Sequence, residues 1–122
     1  IADPGARFAF PGARFGLVLG TRRLAALVGE GQALALTARG QGLDAEGALA
    51  CGLAGAVVAQ DGWDAEVAAA AAEVAKVDRA TALALAGAAR ADTRDADLAA
   101  LVRSAAVPGL QGRIAAYAGV RA

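Results

Sequence analysis

The sequence contains no histidine, no methionine and a single cysteine, and only 4% of its 122 residues are aromatic. Without histidine it builds neither a His-based triad nor a His-ligated metal site. Cys51 has no partner for an internal disulfide, which favours a reducing compartment. Its neighbours Leu49 and Leu53 are apolar, so it reads as a small buried hydrophobe rather than a nucleophile. An excess of one charge is also lacking. Twelve acidic residues balance 12 basic ones, so nothing electrostatic argues for a nucleic-acid or anionic-membrane partner. No charge-free apolar run is long enough to span a bilayer, and no charged and then apolar segment marks a signal peptide.

What is abundant is alanine, roughly a third of the chain and far above ordinary usage. Alanine is the best helix former, but each residue removes little apolar area from water. Helices made of it approach closely and gain less per contact than leucine-faced ones. One domain's worth of such sequence needs more protein or a partner subunit to cover its apolar faces. The chain opens at Ile1-Ala2-Asp3-Pro4 with no initiator methionine. The expectation is a fragment of a longer protein.

The organising stretch is residues 7–29. Arg7, Phe8 and Phe10 alternate as in a short buried strand, Pro11 and Gly12 break it, and an apolar run from Phe15 to Leu19 follows. Strands are predicted over 6–10 and 14–18. Thr21 is the predicted N-cap of a helix to about Val28, ended by Gly29. Further helices are predicted over 30–38, over 45–51 with Asp44 as N-cap, and over 64–76 after an Asp61-Gly62 turn. Val57-Val58 reads as a short strand, and Trp63 as a packing anchor. Asp78 opens the next helix, with Arg90 near its end. Leu98, Leu101 and Val102 mark another, and Pro108 is expected in the first turn of the last. A strand, a glycine-lined turn and a helix N-terminus bring backbone N–H groups to where a ligand carbonyl or phosphate can sit.

The order of these pieces resembles the C-terminal half of the enoyl-CoA hydratase/isomerase (crotonase) family. The residues that carry the likeness are Ala2-Asp3 with Ala6-Arg7-Phe8, the Phe8-x-x-Pro11 turn, Gly16-Leu17-Val18, Thr21-x-Arg23-Leu24 and Leu27-Val28-Gly29. Thr37 and Gly40, Asp44-Ala45 with Gly52-Leu53, and Val57-Val58 continue it. The resemblance implies an α/β, crotonase-like (ClpP/crotonase) fold seen in part, a helix-rich C-terminal portion with a few short strands. Residues 1–60 then form the C-terminal part of the core, built of strand–turn–helix units. Residues 61–122 form a helical region for oligomerisation and for capping the CoA site.

Members of this family bind an acyl-CoA, hold its thioester oxygen with two backbone N–H groups, and use two glutamates to move water and protons. The resemblance implies that the first glutamate and both oxyanion donors lie outside this chain. The second glutamate is expected after the proline of the Phe-x-x-Pro turn, where this sequence has Gly12. Residues 8–24 contain no other acid, so no catalytic residue is assigned. The family's Pro-Gly-Ala-Gly-Gly loop is here shortened to Leu19-Gly20 before Thr21. The expected substrate-binding residues are Gly12, Leu17, Val18 and Gly20, with Tyr117 and Arg121 of the last helix at the CoA nucleotide. For that pair the alternative is a partly buried tyrosine and a frayed terminal arginine. Arg14, Arg22 and Arg23 are either exposed arginines or partners of the CoA phosphates. No metal and no separate cofactor is expected, since CoA enters as part of the substrate. The expected partners are an acyl-CoA thioester and copies of the same chain, as a homotrimer or dimer of trimers, in the cytoplasm. The reading is an acyl-CoA enzyme acting through a thioester enolate. The alternatives are a non-catalytic acyl-CoA-binding or structural subunit, and an alanine-rich interaction module.

Overall fold

A computed structural model describes residues 1–89 and 92–119. The strand β1 (Arg7–Phe8) pairs antiparallel with β2 (Leu43–Asp44), Arg7 opposite Asp44 and Phe8 opposite Leu43. Ala2 adds a parallel bridge to Val57: its N–H donates to Ala56 O (2.8 Å) and its carbonyl accepts from Val58 N (2.9 Å). Val57-Val58 therefore contributes one bridge rather than the expected strand.

The strand expected over 14–18 is absent, because a 3-10 turn, Pro11–Phe15, takes its place. Pro11 opens the turn with φ already set, and Gly16 closes it in the left-handed region at φ +74. Gly16 N–H donates back to Ala13 O (3.0 Å) and Leu17 N–H to Gly12 O (2.9 Å). With those donors satisfied locally, the segment has no need of a neighbouring strand.

Two helices follow, α1 (Thr21–Val28) and α2 (Glu30–Ala38), joined by the single residue Gly29 at φ +81. Thr21 is the first helical residue rather than the cap. Gly20 caps instead, and its left-handed φ of +66 turns the chain into the helix one residue earlier than expected. Leu24, Ala33 and Leu36 form one buried cluster, with Phe10 and Leu43 packed against it. The short helix α3 (Ala45–Ala50) begins as read from the sequence, with Asp44 Oδ1 accepting from Gly47 N (2.8 Å). Ala45 and Ala48 of α3 join Ala2 and Ala54 in a second cluster, and Leu53 packs against both.

The helices α4 (Trp63–Val74), α5 (Arg79–Ala88), α6 (Arg94–Ala105) and α7 (Leu110–Gly119) follow. Trp63 anchors the start of α4 by donating Nε1–H to Val58 O (2.9 Å). Asp78 caps α5 by accepting from Thr81 N (3.0 Å), and its hydrogen bonds with Thr81 hold its carboxyl below the ordinary carboxylate range. Pro108 precedes α7 by two residues instead of sitting in its first turn. Arg90 lies outside the described residues.

No described residue after Ala54 is buried. Among the described residues, five of the seven buried hydrophobic ones are alanines, and the other two are Leu24 and Leu36. A core this poor in large side chains leaves α4 and α5 to stand largely on local propensity, which sustains short helices weakly in water, while α6 and α7 are tied to the rest through Ser104, Arg113 and Tyr117. We therefore expect this chain alone to show strong helical circular dichroism and a broad, weakly cooperative thermal melt. A sharp two-state transition contradicts that expectation.

Candidate functional site

The 3-10 turn, the residues that follow it and the α1–α2 pair enclose a cleft of about 540 Å³. That volume lies within the range of small-molecule sites, roughly 300–1,000 Å³. Phe10, Gly12, Phe15, Leu17 and Val18 line it from the turn segment, and Thr21, Leu34, Thr37 and Ala38 from the helices. Its polar side chains are two threonine hydroxyls. One is already engaged, since Thr37 Oγ1 donates to Ala33 O (2.7 Å). Among the described residues no ionisable side chain lines the cleft. A surface of this kind binds an apolar group and offers no side chain to give or take a proton.

Gly12 sits in this lining, and nothing local requires a glycine there. Its φ is not in the left-handed region, and an added Cβ meets only Leu17 O at 3.5 Å and Leu17 Cβ at 4.0 Å, both ordinary contacts. Gly16 is the opposite case. Its φ is +74, and a Cβ there comes within 3.2 Å of the Arg113 guanidinium.

The cleft brings together three of the expected binding residues, Gly12, Leu17 and Val18. Gly20 is not in the lining; it turns the chain into α1. Tyr117 stands behind the wall, its ring edge-on to Phe15 at 4.8 Å and 88°. Arg14 Cζ lies 6.0 Å from the Tyr117 ring centroid, within reach of a cation–π contact. Arg121 lies outside the described residues. Arg22 and Arg23 each reach Asp97 at 3.4 Å, and Asp97 Oδ2 also accepts from Thr93 Oγ1 (2.7 Å). These two arginines thus have an intramolecular carboxylate, and Arg94 has Asp92 at 2.6 Å. Cys51 is half-buried, its Sγ 3.6 Å from Ala48 O.

Sequence reasoning did not pick out Leu34, Thr37 and Ala38 as lining residues. The 30–38 run reads as a helix, but which of its faces meets the turn depends on how Gly29 folds α2 back onto α1. It also passed over Arg113 and Ser104, whose partners are 98 and 86 residues away in the chain.

A protein from Bordetella parapertussis classed as an enoyl-CoA hydratase/isomerase matches this structure with a TM-score of 0.82 and 45% identity, over 94% of this chain. The chain has a partial crotonase fold of the enoyl-CoA hydratase/isomerase family. Two other crotonase-type structures agree. An enoyl-CoA hydratase/isomerase from Pseudoalteromonas atlantica has a TM-score of 0.75 and 27% identity over 99% of this chain. A protein from Streptomyces avermitilis classed as an enoyl-CoA hydratase has a TM-score of 0.73 and 25% identity over 90% of it. The chain spans about half the length of these crotonases, covering 48%, 53% and 43% of them. No protein-family model and no curated protein matches it.

Because the backbone at Gly12 accepts a Cβ, Gly12→Ala should stabilise the full protein by about 0.5 kcal/mol through the unfolded state. Denaturant titration measures this. A loss of more than about 1 kcal/mol means instead that the turn depends on glycine.

Proposed function

We propose that the protein carrying this chain binds an acyl-CoA thioester with its acyl group in the cleft over Gly12. We further propose that Gly12 stands where a second catalytic glutamate belongs, so that two-carboxylate hydration is not its reaction. The observation that carries this reading is the cleft itself, apolar and without an ionisable side chain among the described residues, with room for a Cβ at residue 12. Hydration of an enoyl thioester needs one group to take a proton from water and another to deliver one to carbon. This lining supplies neither.

Stabilising a thioester enolate is a separate task. Backbone N–H donors aimed at the oxygen do it without a side-chain acid. Chemistry of the isomerase or hydrolase kind therefore stays open, with the acid and the oxyanion donors supplied from outside this chain. CoA enters as part of the substrate, and no other cofactor is invoked. The exposed apolar side chains Val67, Val74, Leu83, Leu98 and Val102 on α4–α6 support assembly into a trimer or dimer of trimers. Residues 61–122 are then the part that joins subunits and caps the CoA site. The described helices include none long and apolar enough to cross a membrane. We place the protein in the cytoplasm and in fatty-acid metabolism.

A second reading, a non-catalytic acyl-CoA-binding or structural subunit, draws on the same observation at Gly12. Crotonyl-CoA hydration by the full protein separates the two from an ordinary hydratase. The wild type should show negligible turnover, and Gly12→Glu should raise it by about a hundredfold or more. Wild-type turnover at the level of two-glutamate relatives refutes the role given to Gly12. Calorimetric titration with acyl-CoA then tests binding, since an interaction module without a ligand gives no heat.

A further inference from the structure

The wall of the cleft formed by residues 15–18 is held only in part by its own turn, through Gly16 N–H to Ala13 O and Leu17 N–H to Gly12 O. It is gripped by two side chains from the far end of the chain. Arg113 of α7 donates Nε–H to Phe15 O, and the same guanidinium donates Nη1–H to Pro108 O (2.8 Å) and Nη2–H to Val107 O (3.5 Å). It thereby ties the turn before α7 to the wall in one planar fork, which a lysine ammonium cannot reproduce. Three residues further along the wall, Ser104 of α6 accepts from Val18 N (2.9 Å) and donates to Leu101 O (2.9 Å). The second bond fixes the hydroxyl so that its lone pair faces the wall.

Between the two grips lies Gly16. Its lack of a side chain lets the guanidinium approach to a distance that a Cβ would contest. Phe15 and Val18, the two residues gripped, line the cleft with Leu17 between them, while Arg113 and Ser104 themselves do not line it.

We propose that Arg113 and Ser104 are positioning residues that hold residues 15–18 as a fixed wall and so set the length of acyl chain the cleft accepts. The proposal rests on the acyl-CoA reading above. It adds that specificity at this wall is determined from α6 and α7, through backbone atoms. An apolar cleft discriminates chain length only if its wall resists displacement. Each methylene accommodated is worth little, and a mobile wall surrenders that difference.

The test is calorimetric titration of the full protein with butyryl-CoA, octanoyl-CoA and CoA bearing no acyl group. The wild type is compared with Arg113→Lys and Ser104→Ala. Ser104→Ala keeps a strong helix former in α6 while removing the acceptor, so it stays folded if the arginine variant does not. The ratio of octanoyl-CoA to butyryl-CoA affinity should change by about fivefold in each variant, the size expected of one hydrogen bond, while affinity for unacylated CoA stays within about twofold. A general loss of stability does not move that ratio. If the wild type binds the acyl-CoAs and Ser104→Ala keeps its ratio, the positioning role is wrong and the acyl-CoA reading stands. If the wild type binds neither acyl-CoA, the acyl-CoA reading fails and this proposal with it.

Discussion

The whole arrangement depends on how the chain turns at Pro11–Phe15. This one 3-10 turn converts a two-residue strand into the wall of a cleft and presents residue 12 to it. It also offers the carbonyl of Phe15 to a helix nearly a hundred residues away. Proline at its start and a left-handed glycine after its end make the geometry local and inexpensive. The surrounding interior is slight. Two clusters, mostly alanine, are bridged by Leu53, so the turn cannot rely on deep burial for rigidity. Polar contacts from Arg113 and Ser104, and the Phe15–Tyr117 ring pair, take over that task.

An apolar cleft with no ionisable lining is a poor general acid–base site and a suitable receptacle for a hydrocarbon chain. The backbone would tolerate a side chain at residue 12. No conformational demand of the turn calls for glycine there, and the proposed function turns on that position. Of the arginines expected to meet phosphates, Arg22 and Arg23 pair with Asp97 and Arg14 lies over the Tyr117 ring. In this chain they serve the fold: Arg22 and Arg23 of α1 hold the N-terminal turn of α6, which carries Ser104 at its other end.

Much of this was legible before any coordinates. The bounds of α1 and α2, the Asp44 and Asp78 caps and the residues flanking the turn follow from short-range signals: glycine after a periodic run, aspartate before one, proline after a strand. The misreading at 14–18 has a plain cause. Phe15, Leu17 and Leu19 alternate like a strand, but the pattern does not say that residues 12 and 13 have already taken the backbone donors of Gly16 and Leu17. Long-range features were invisible for a different reason. Arg113 has the look of any exposed helical arginine, and Ser104 of any helical serine. Only the path of the chain through α4 to α6 brings them to Phe15 and Val18.

The central claim is that the cleft over Gly12 receives an acyl chain without a proton-transferring side chain from this segment. A crystal structure of the full protein with octanoyl-CoA tests it most directly. The account predicts acyl carbons packed against Phe15, Leu17 and Val18, with no carboxylate of this chain within hydrogen-bonding distance of the thioester carbonyl. An acyl chain seated elsewhere, or a carboxylate from residues 1–122 at that carbonyl, contradicts it.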